Sequence, residues 1–374
     1  MTATPRPEVS VNEPVLYAAF ELGKKDWKLA LTSGFGVMPW LRTVASGDWA
    51  AVDRAVSAGR QRFGLSPAMR VMSCYEAGRD GFWIHRGLKA RGIQNRVVDS
   101  SSIEVNRRAR RTKTDRIDAI KLVQMLVRVC AGEPRVWSEV RVPSVADEAA
   151  RHISRERRTL TQEQTRLINQ LRSWLTTYGG RLPRQRREGW WTTVRDWAGA
   201  VLPPVQARLA RAHARLTLVA RQIADLDLQQ REAVQGASPG SPLARLVQLK
   251  GVATTSASVL LDEGLVWRAF HNRRQLGGLL GFAPVKYESG ETTRDQGISR
   301  AGNDRLQSTM VQIAWSWVHW QPCSALTRWY RERFGEGKRT RKIGIVALAR
   351  KLLIALWRWA TAGIVPTGAV LKGA

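Results

Sequence analysis

The spacing of apolar residues changes several times along the chain, and each change marks a different kind of element. Residues 15–22 (VLYAAFEL) form a short apolar run, the pattern of a strand buried within a sheet. Residues 28–32 read as a second strand. Residues 37–44 read as a third, which Pro39 confines to an edge. Residues 69–76 (MRVMSCYE) and 94–99 supply two more strands, whereas 48–63, 78–91 and 115–129 carry helical spacing. A strand meander followed by alternating strand and helix predicts an α/β layer around a mixed sheet.

Beyond residue 144 the period becomes seven. Ile153, Leu160, Leu167 and Trp174 repeat at that interval, with Gln164, Leu171 and Tyr178 in a parallel register. Leu209, Leu216 and Ile223 repeat likewise, each followed three residues later by Ala212, Val219 and Leu226. An apolar seam of this kind predicts long coiled-coil helices, paired within one chain or between two. Gly179–Gly180 and Pro203–Pro204 separate them, and Arg155, Arg157, Arg158 and Arg166 fall away from the seam. After a polar linker at 235–241, LVQLKGVATTSASVLLDEG reads as helix, short turn, helix. It is similar to a helix-hairpin-helix, whose glycine turn offers backbone amides to a phosphate. Lys250 and Ala253 stand where such hairpins carry proline and glycine. Residues 281–300 read as a loop, and 303–319 and 340–360 as helices. The expected organisation is a disordered tail at 1–13, an α/β domain at 14–140, a coiled-coil region at 144–234 and a mainly helical domain at 242–364.

Charge narrows the function. Lys and Arg total 60 against 31 acids, a net charge of +29 that points to a polyanionic partner, most commonly nucleic acid. Three scattered cysteines without a CxxC pair, and five histidines, argue against zinc or a disulfide framework and fit a reducing cytoplasm. The first residues lack a secretory pattern. The apolar stretch 343–359 is interrupted by Arg350 and Lys351, so no membrane span is expected. Of the sixteen tryptophans, those beside arginine, such as Trp174, Trp267 and Trp359, could stack on unpaired bases, whereas Trp315 and Trp357 are expected in helix cores.

The scarce acids are placed unevenly. Asp115 and Asp118 stand three apart in RRARRTKTDRIDA, on one face of a helix, beside Arg107, Arg108, Arg110, Arg111, Lys113 and Arg116. Glu21 lies near the end of the first predicted strand and Glu76 ends the fourth. Carboxylates at strand ends and on an adjoining helix can converge, and such a set suits Mg²⁺ or Mn²⁺ in phosphoryl transfer. Taken singly, each acid could equally form a salt bridge with a neighbouring arginine.

With AAFELGKKDW, YEAG, TKTDRIDA, LGGLLGFAPVKYESGETTRDQGISRAGNDRL and KIGIVALARKLLIALW in place, the chain resembles the DEDD transposases of insertion-sequence family 110/1111 along nearly its whole length. The resemblance implies an RNase H-like (RuvC-like) N-terminal domain in which Glu21, Glu76, Asp115 and Asp118 hold a divalent metal. Glu21 stands where the family usually has aspartate. It also implies a serine nucleophile, for which Ser289 in YESGE matches best and Ser299 in GISRAGN is the other candidate. The expected partners are donor and target DNA and a structured noncoding guide RNA, with a homodimer assembling into a tetramer on DNA. Backbone contacts are expected from the basic segments 86–116 and 151–188, with Arg155, Arg157, Arg158, Lys250 and Arg300 named among the contacting residues, and the protein is expected in the bacterial cytoplasm at the nucleoid. Two other readings stay open: a junction-resolving nuclease in which water attacks, and a non-catalytic nucleic-acid-binding protein.

Overall fold

The computed structural model describes residues 14–373 except 79–80, 104–114, 135, 196–198, 200–202, 266–269, 271, 283, 290–291, 299–301 and 336. For residues 284–289 and 292–297 it describes the backbone only. The expected tail at 1–13 lies outside the described residues. The chain divides into two compact units, Met1–Val142 and Pro143–Ala374.

The first unit is built on five strands, β1 (Leu16–Leu22), β2 (Asp26–Thr32), β3 (Trp40–Ala45), β4 (Val71–Glu76) and β5 (Gln94–Val98), in the spatial order β3-β2-β1-β4-β5. The first three are antiparallel neighbours, while β1, β4 and β5 run parallel. The mixed sheet and the edge position of β3 are those expected from the sequence. Alternation along each strand sends successive side chains to opposite faces. Leu16, Ala18, Phe20, Leu29 and Leu31 join Val52 and Val56 of α1 (Trp49–Arg62) and Ile84 and Leu88 of α2 (Trp83–Ala90) in one core. Ala19, Ala30, Met72 and Cys74 face the other way and pack under Ala119, Leu122 and Leu126 of α3 (Asp115–Cys130). Trp27, Trp49 and Trp83 close the first core with edge-on and tilted ring contacts 5.5–5.7 Å apart.

The second unit opens with α4 (Val145–Thr177), whose N-terminus is fixed by a Ser144–Asp147 capping box. It pairs within the chain with α5 (Pro203–Gln235). Their seam contains Leu167, Leu171, Leu175, Leu209, Ala212, Leu216 and Val219, with Trp190 from the connecting segment inserted among them. Arg157 forks onto Asp227 and Arg215 reaches Glu163, so ion pairs also join the two helices.

The short helices α6 (Pro242–Gln248) and α7 (Thr254–Leu260) flank a turn in which Gly251 has φ +86°, a conformation that favours glycine. A π-helical turn, Leu261–Leu265, follows directly. Then come α8 (Arg273–Leu279), β6 (Pro284–Ser289), β7 (Thr292–Ile298), α9 (Asp304–Trp320), α10 (Ala325–Phe334) and α11 (Lys338–Ala362). One apolar core, containing Leu260, Leu280, Met310, Trp317, Leu348 and Leu352, holds the helices of this part together.

Three expectations change. Residues 281–300 are not simply a loop: β6 and β7 form an antiparallel hairpin from Pro284↔Ile298 to Ser289↔Thr292. Their many polar side chains hid a strand pair held by backbone hydrogen bonds. Trp315 is 40% exposed, and Trp317, two positions later, is the buried member of α9. The turn between α6 and α7 does not hold all its amides out to solvent. The Lys250 N–H bonds to Val370 O at 3.2 Å, and the Val252 N–H bonds to Leu249 O.

Candidate active site

Strand pairing brings the first two acids together. Phe20 lies beside Tyr75 in the parallel β1–β4 pair, so Glu21 and Glu76 follow at the same level on neighbouring strands. They share the alternation of Ala19 and Cys74, which places both on the face covered by α3. The direction of α3 follows from its contacts. The Cys74 thiol donates to Leu122 O at 3.8 Å in mid-helix. Cys130, at the helix end, lies near Tyr17 at the start of β1. There burial pushes the Tyr17 hydroxyl pKa up, and Cys130 adds to the rise. The helix therefore runs back along the sheet, and its first turn, with Asp115 and Asp118, lies toward the C-terminal ends of β1 and β4.

The same geometry adds a residue that the sequence reading passed over. Lys28 is the cross-strand partner of Glu21 in the β1–β2 ladder, on the same face. Its ammonium donates to Thr43 Oγ1 at 3.3 Å and lies 3.5 Å from Asp26. The available signal was the alternation of the second strand. The four acids thus occupy one end of the sheet. Among the described residues, no three His, Cys, Asp or Glu side chains stand close enough to share one metal ion.

The remaining predicted residues are spread over both units. Ser289 ends β6, opposite Thr292 in the last pair of the hairpin. Ser299, Arg300, Arg107, Arg108, Arg110, Arg111 and Lys113 lie outside the described residues. Arg116 is exposed in the first turn of α3, and Lys250 is half-buried in the α6–α7 turn. Arg157 is engaged by Asp227, and Arg155 points into the second unit.

There Arg155 meets a carboxylate that sequence reasoning missed. Glu263, in the π-helical turn, is 2% exposed. It accepts from Arg155 Nε at 2.9 Å and Nη2 at 3.0 Å, from Arg305 Nη1 at 3.0 Å and from Asn303 Nδ2 at 3.2 Å. Burial alone would raise its pKa. Arg155, with Asn303 and Arg305, reverses the effect and holds it below the usual carboxylate range. The adjacent Asp262 is pushed up to about 6 by burial, against an opposing hydrogen bond from Ser154. A polar cavity of about 580 Å³ opens here, lined by Arg155, Arg158 and Arg305 together with Gln162, Asn303 and Asp304. One signal was available in the sequence, namely two adjacent acids inside the apolar run VLLDEGL.

Comparison with known proteins fits this arrangement. The profile of the transposase family IS116/IS110/IS902 matches residues 243–328, and that of an IS110-type DEDD transposase domain matches residues 68–179. The second match contains Glu76, Asp115 and Asp118 and the first contains Ser289, while Glu21 precedes both. The protein y4rJ of Sinorhizobium fredii, named as a transposase, is 38% identical over 400 aligned positions, covering 100% of this chain and 99% of that protein. A second S. fredii protein named as a transposase, y4qE, is 29% identical over 318 positions, 77% of this chain and 74% of its own. The transposase for insertion sequence element IS1328 of Yersinia enterocolitica is 25% identical over 192 positions, 50% of this chain and 55% of its own. A DEDD domain implies an RNase H-like fold, with which the five-stranded mixed sheet agrees. With one relative matched end to end and family profiles matching in both units, the chain belongs to the IS110/IS116 family of insertion-sequence transposases, which cut and transfer DNA.

Proposed function

We propose that this transposase cuts and rejoins DNA through a serine-linked intermediate, with Ser289 as nucleophile and with Glu21, Glu76, Asp115 and Asp118 as holders of Mg²⁺ or Mn²⁺. The observation that carries the metal reading is the shared sheet end. Parallel pairing sets Glu21 beside Glu76, and α3 returns its two aspartates toward the same end. The donors are all hard oxygens, which suits these ions. When bound, a divalent ion supplies positive charge at the scissile phosphate.

In this reading Ser289 Oγ forms a bond to phosphorus as the bond from phosphorus to the departing strand's oxygen breaks. The hydroxyl proton leaves Oγ, and a proton reaches the departing oxygen. The phosphoserine link remains a diester, so attack by the hydroxyl of another strand end reverses the step and joins new partners. Free serine is a weak nucleophile, and the step needs an activated hydroxyl. A position at the end of the β6–β7 hairpin, next to Gly290 in the sequence, suits close approach to a DNA backbone.

The reading extends to a structured guide RNA that pairs with donor and target DNA. The support is a net charge of +29, which suits backbone contacts while base pairing reads sequence. It extends also to a dimer that becomes a tetramer on DNA, with acids of one protomer and the serine of another sharing a site. The acids and Ser289 are carried by separate compact units, an arrangement compatible with such sharing. The deciding experiment traps the covalent protein–DNA adduct and maps its attachment residue. Attachment at Ser289, lost in Ser289→Ala, is the expected result. Wild-type cleavage and rejoining by Ser289→Ala would instead place water or another residue in the attacking role.

A further inference from the structure

We propose that the groove between α10 and α11 of the second unit is a pocket for one unpaired nucleotide of a DNA strand. Its volume is about 860 Å³, within the usual range for a small-molecule site. The floor is apolar and aromatic, made of Phe282, Trp329, Phe334, Val346 and Ile354, with the 57% exposed Ile343 at its mouth. The rim carries Arg273, Arg333, Lys342, Arg350 and Lys351. Among the described lining residues there is no carboxylate, hydroxyl or amide side chain.

That composition selects its occupant. Five cations around a stacking floor match a base flanked by its phosphates, the general pattern of unpaired-strand binding. A purely apolar ligand would leave the rim charges without counterparts. The lining offers no acceptor side chain, so a base would be held chiefly by its ring face, with only the rim cations to meet acceptor atoms on its edge. The assignment to DNA rests on the family, whose transposases act on DNA, since the lining has no acceptor side chain dedicated to a ribose 2′-hydroxyl.

The aromatic pair is held in place from behind. A Cβ on Gly344 would come within 2.4 Å of the Phe334 ring, so that ring sits directly on the backbone of α11. Trp329 packs on Phe334 with ring centroids 5.6 Å apart, and Lys351 Nζ lies 4.6 Å from the Trp329 ring centre. Phe282 precedes β6 and Ile298 ends β7, so the pocket adjoins the base of the hairpin whose far end carries Ser289. A strand held by one extruded base at this point would be fixed about 16 Å from that serine along the hairpin.

The test measures binding of the full-length protein to a DNA duplex carrying one unpaired adenosine. The reference is the same duplex with an abasic unit at that position, read by fluorescence anisotropy. The base-bearing duplex is expected to bind about tenfold tighter, in line with stacking of one base. Ile343→Glu, at an exposed position, and Trp329→Leu, which keeps apolar bulk, should each bring the ratio to about one. Equal affinities in the wild type, or a ratio that survives both variants, overturn the proposal. An RNA duplex with the same bulge and a larger base-dependent ratio overturns the assignment to DNA. Binding is read without strand cleavage, so the result does not depend on which residue attacks phosphorus.

Discussion

Replacing Glu263 with alanine should destabilise the second unit more than any surface change on the same helices. Glu263 is 2% exposed and accepts four hydrogen bonds, two from Arg155, one from Arg305 and one from Asn303. The Arg305 side chain is 10% exposed, so removing the carboxylate strands a charge that is largely shielded from water. Breaking such a buried pair from one side costs about 3–5 kcal/mol. The Arg155 side chain is 53% exposed, and its share is screened to below about 1 kcal/mol. A loss of about 3–4 kcal/mol is therefore expected, or roughly 6–16 °C in Tm for a unit of this size. Thermal unfolding followed by circular dichroism measures it. Replacing both Glu263 and Arg305 with methionine should recover much of the loss, because an apolar pair leaves no orphaned charge. A Glu263→Ala protein melting within about 2 °C of wild type, or a double variant no better than the single, would refute the account.

Four further outcomes follow. Burial pushes the Asp262 carboxyl up to about 6, above the usual carboxylate range, so its contribution to stability is fully present below about pH 4 and is lost as pH rises toward 6. Asp262→Asn should flatten unfolding free energy across that window and stabilise the protein at pH 7–8. Gly251→Ala should cost about 1–2 kcal/mol in chemical denaturation, because φ is +86° and the new Cβ would meet Ser316 O at 3.3 Å. Asp115→Asn with Asp118→Asn should abolish strand cleavage while leaving DNA affinity within about threefold, a weaker effect than loss of one phosphate contact; intact cleavage would remove both residues from the chemistry. Raising salt from 50 to 200 mM should weaken DNA binding by about 10³-fold or more if six or more phosphates are neutralised, measured by filter binding.

What the sequence disclosed depended on how local each signal was. Two of the strands of the first unit were legible because VLYAAFEL and MRVMSCYE are apolar runs of strand length, the pattern of burial on both faces. Pairing of Asp115 with Asp118 was legible from helical spacing. The level at which Glu21 meets Glu76 was not, since it depends on the register of strands 55 residues apart. Helix α10 was missed because ALTRWYRERF is short and rich in charge, and it buries only Thr327 and Tyr330 fully. Arg155 read as a free cation because its partner lies 108 residues away. Surface charges look alike in a sequence until the fold shows which are spoken for.

The parallel pairing of β1 with β4 has one more consequence. Strand side chains alternate with a period of two, so a slip of either strand by a single residue would turn its glutamate into the Phe20–Trp27 core and push a ring out in its place. Apolar packing thus proofreads the positions of Glu21 and Glu76. A chain that misaligns its acids by one residue has also misassembled its core, and that instability works against a folded protein with a faulty site.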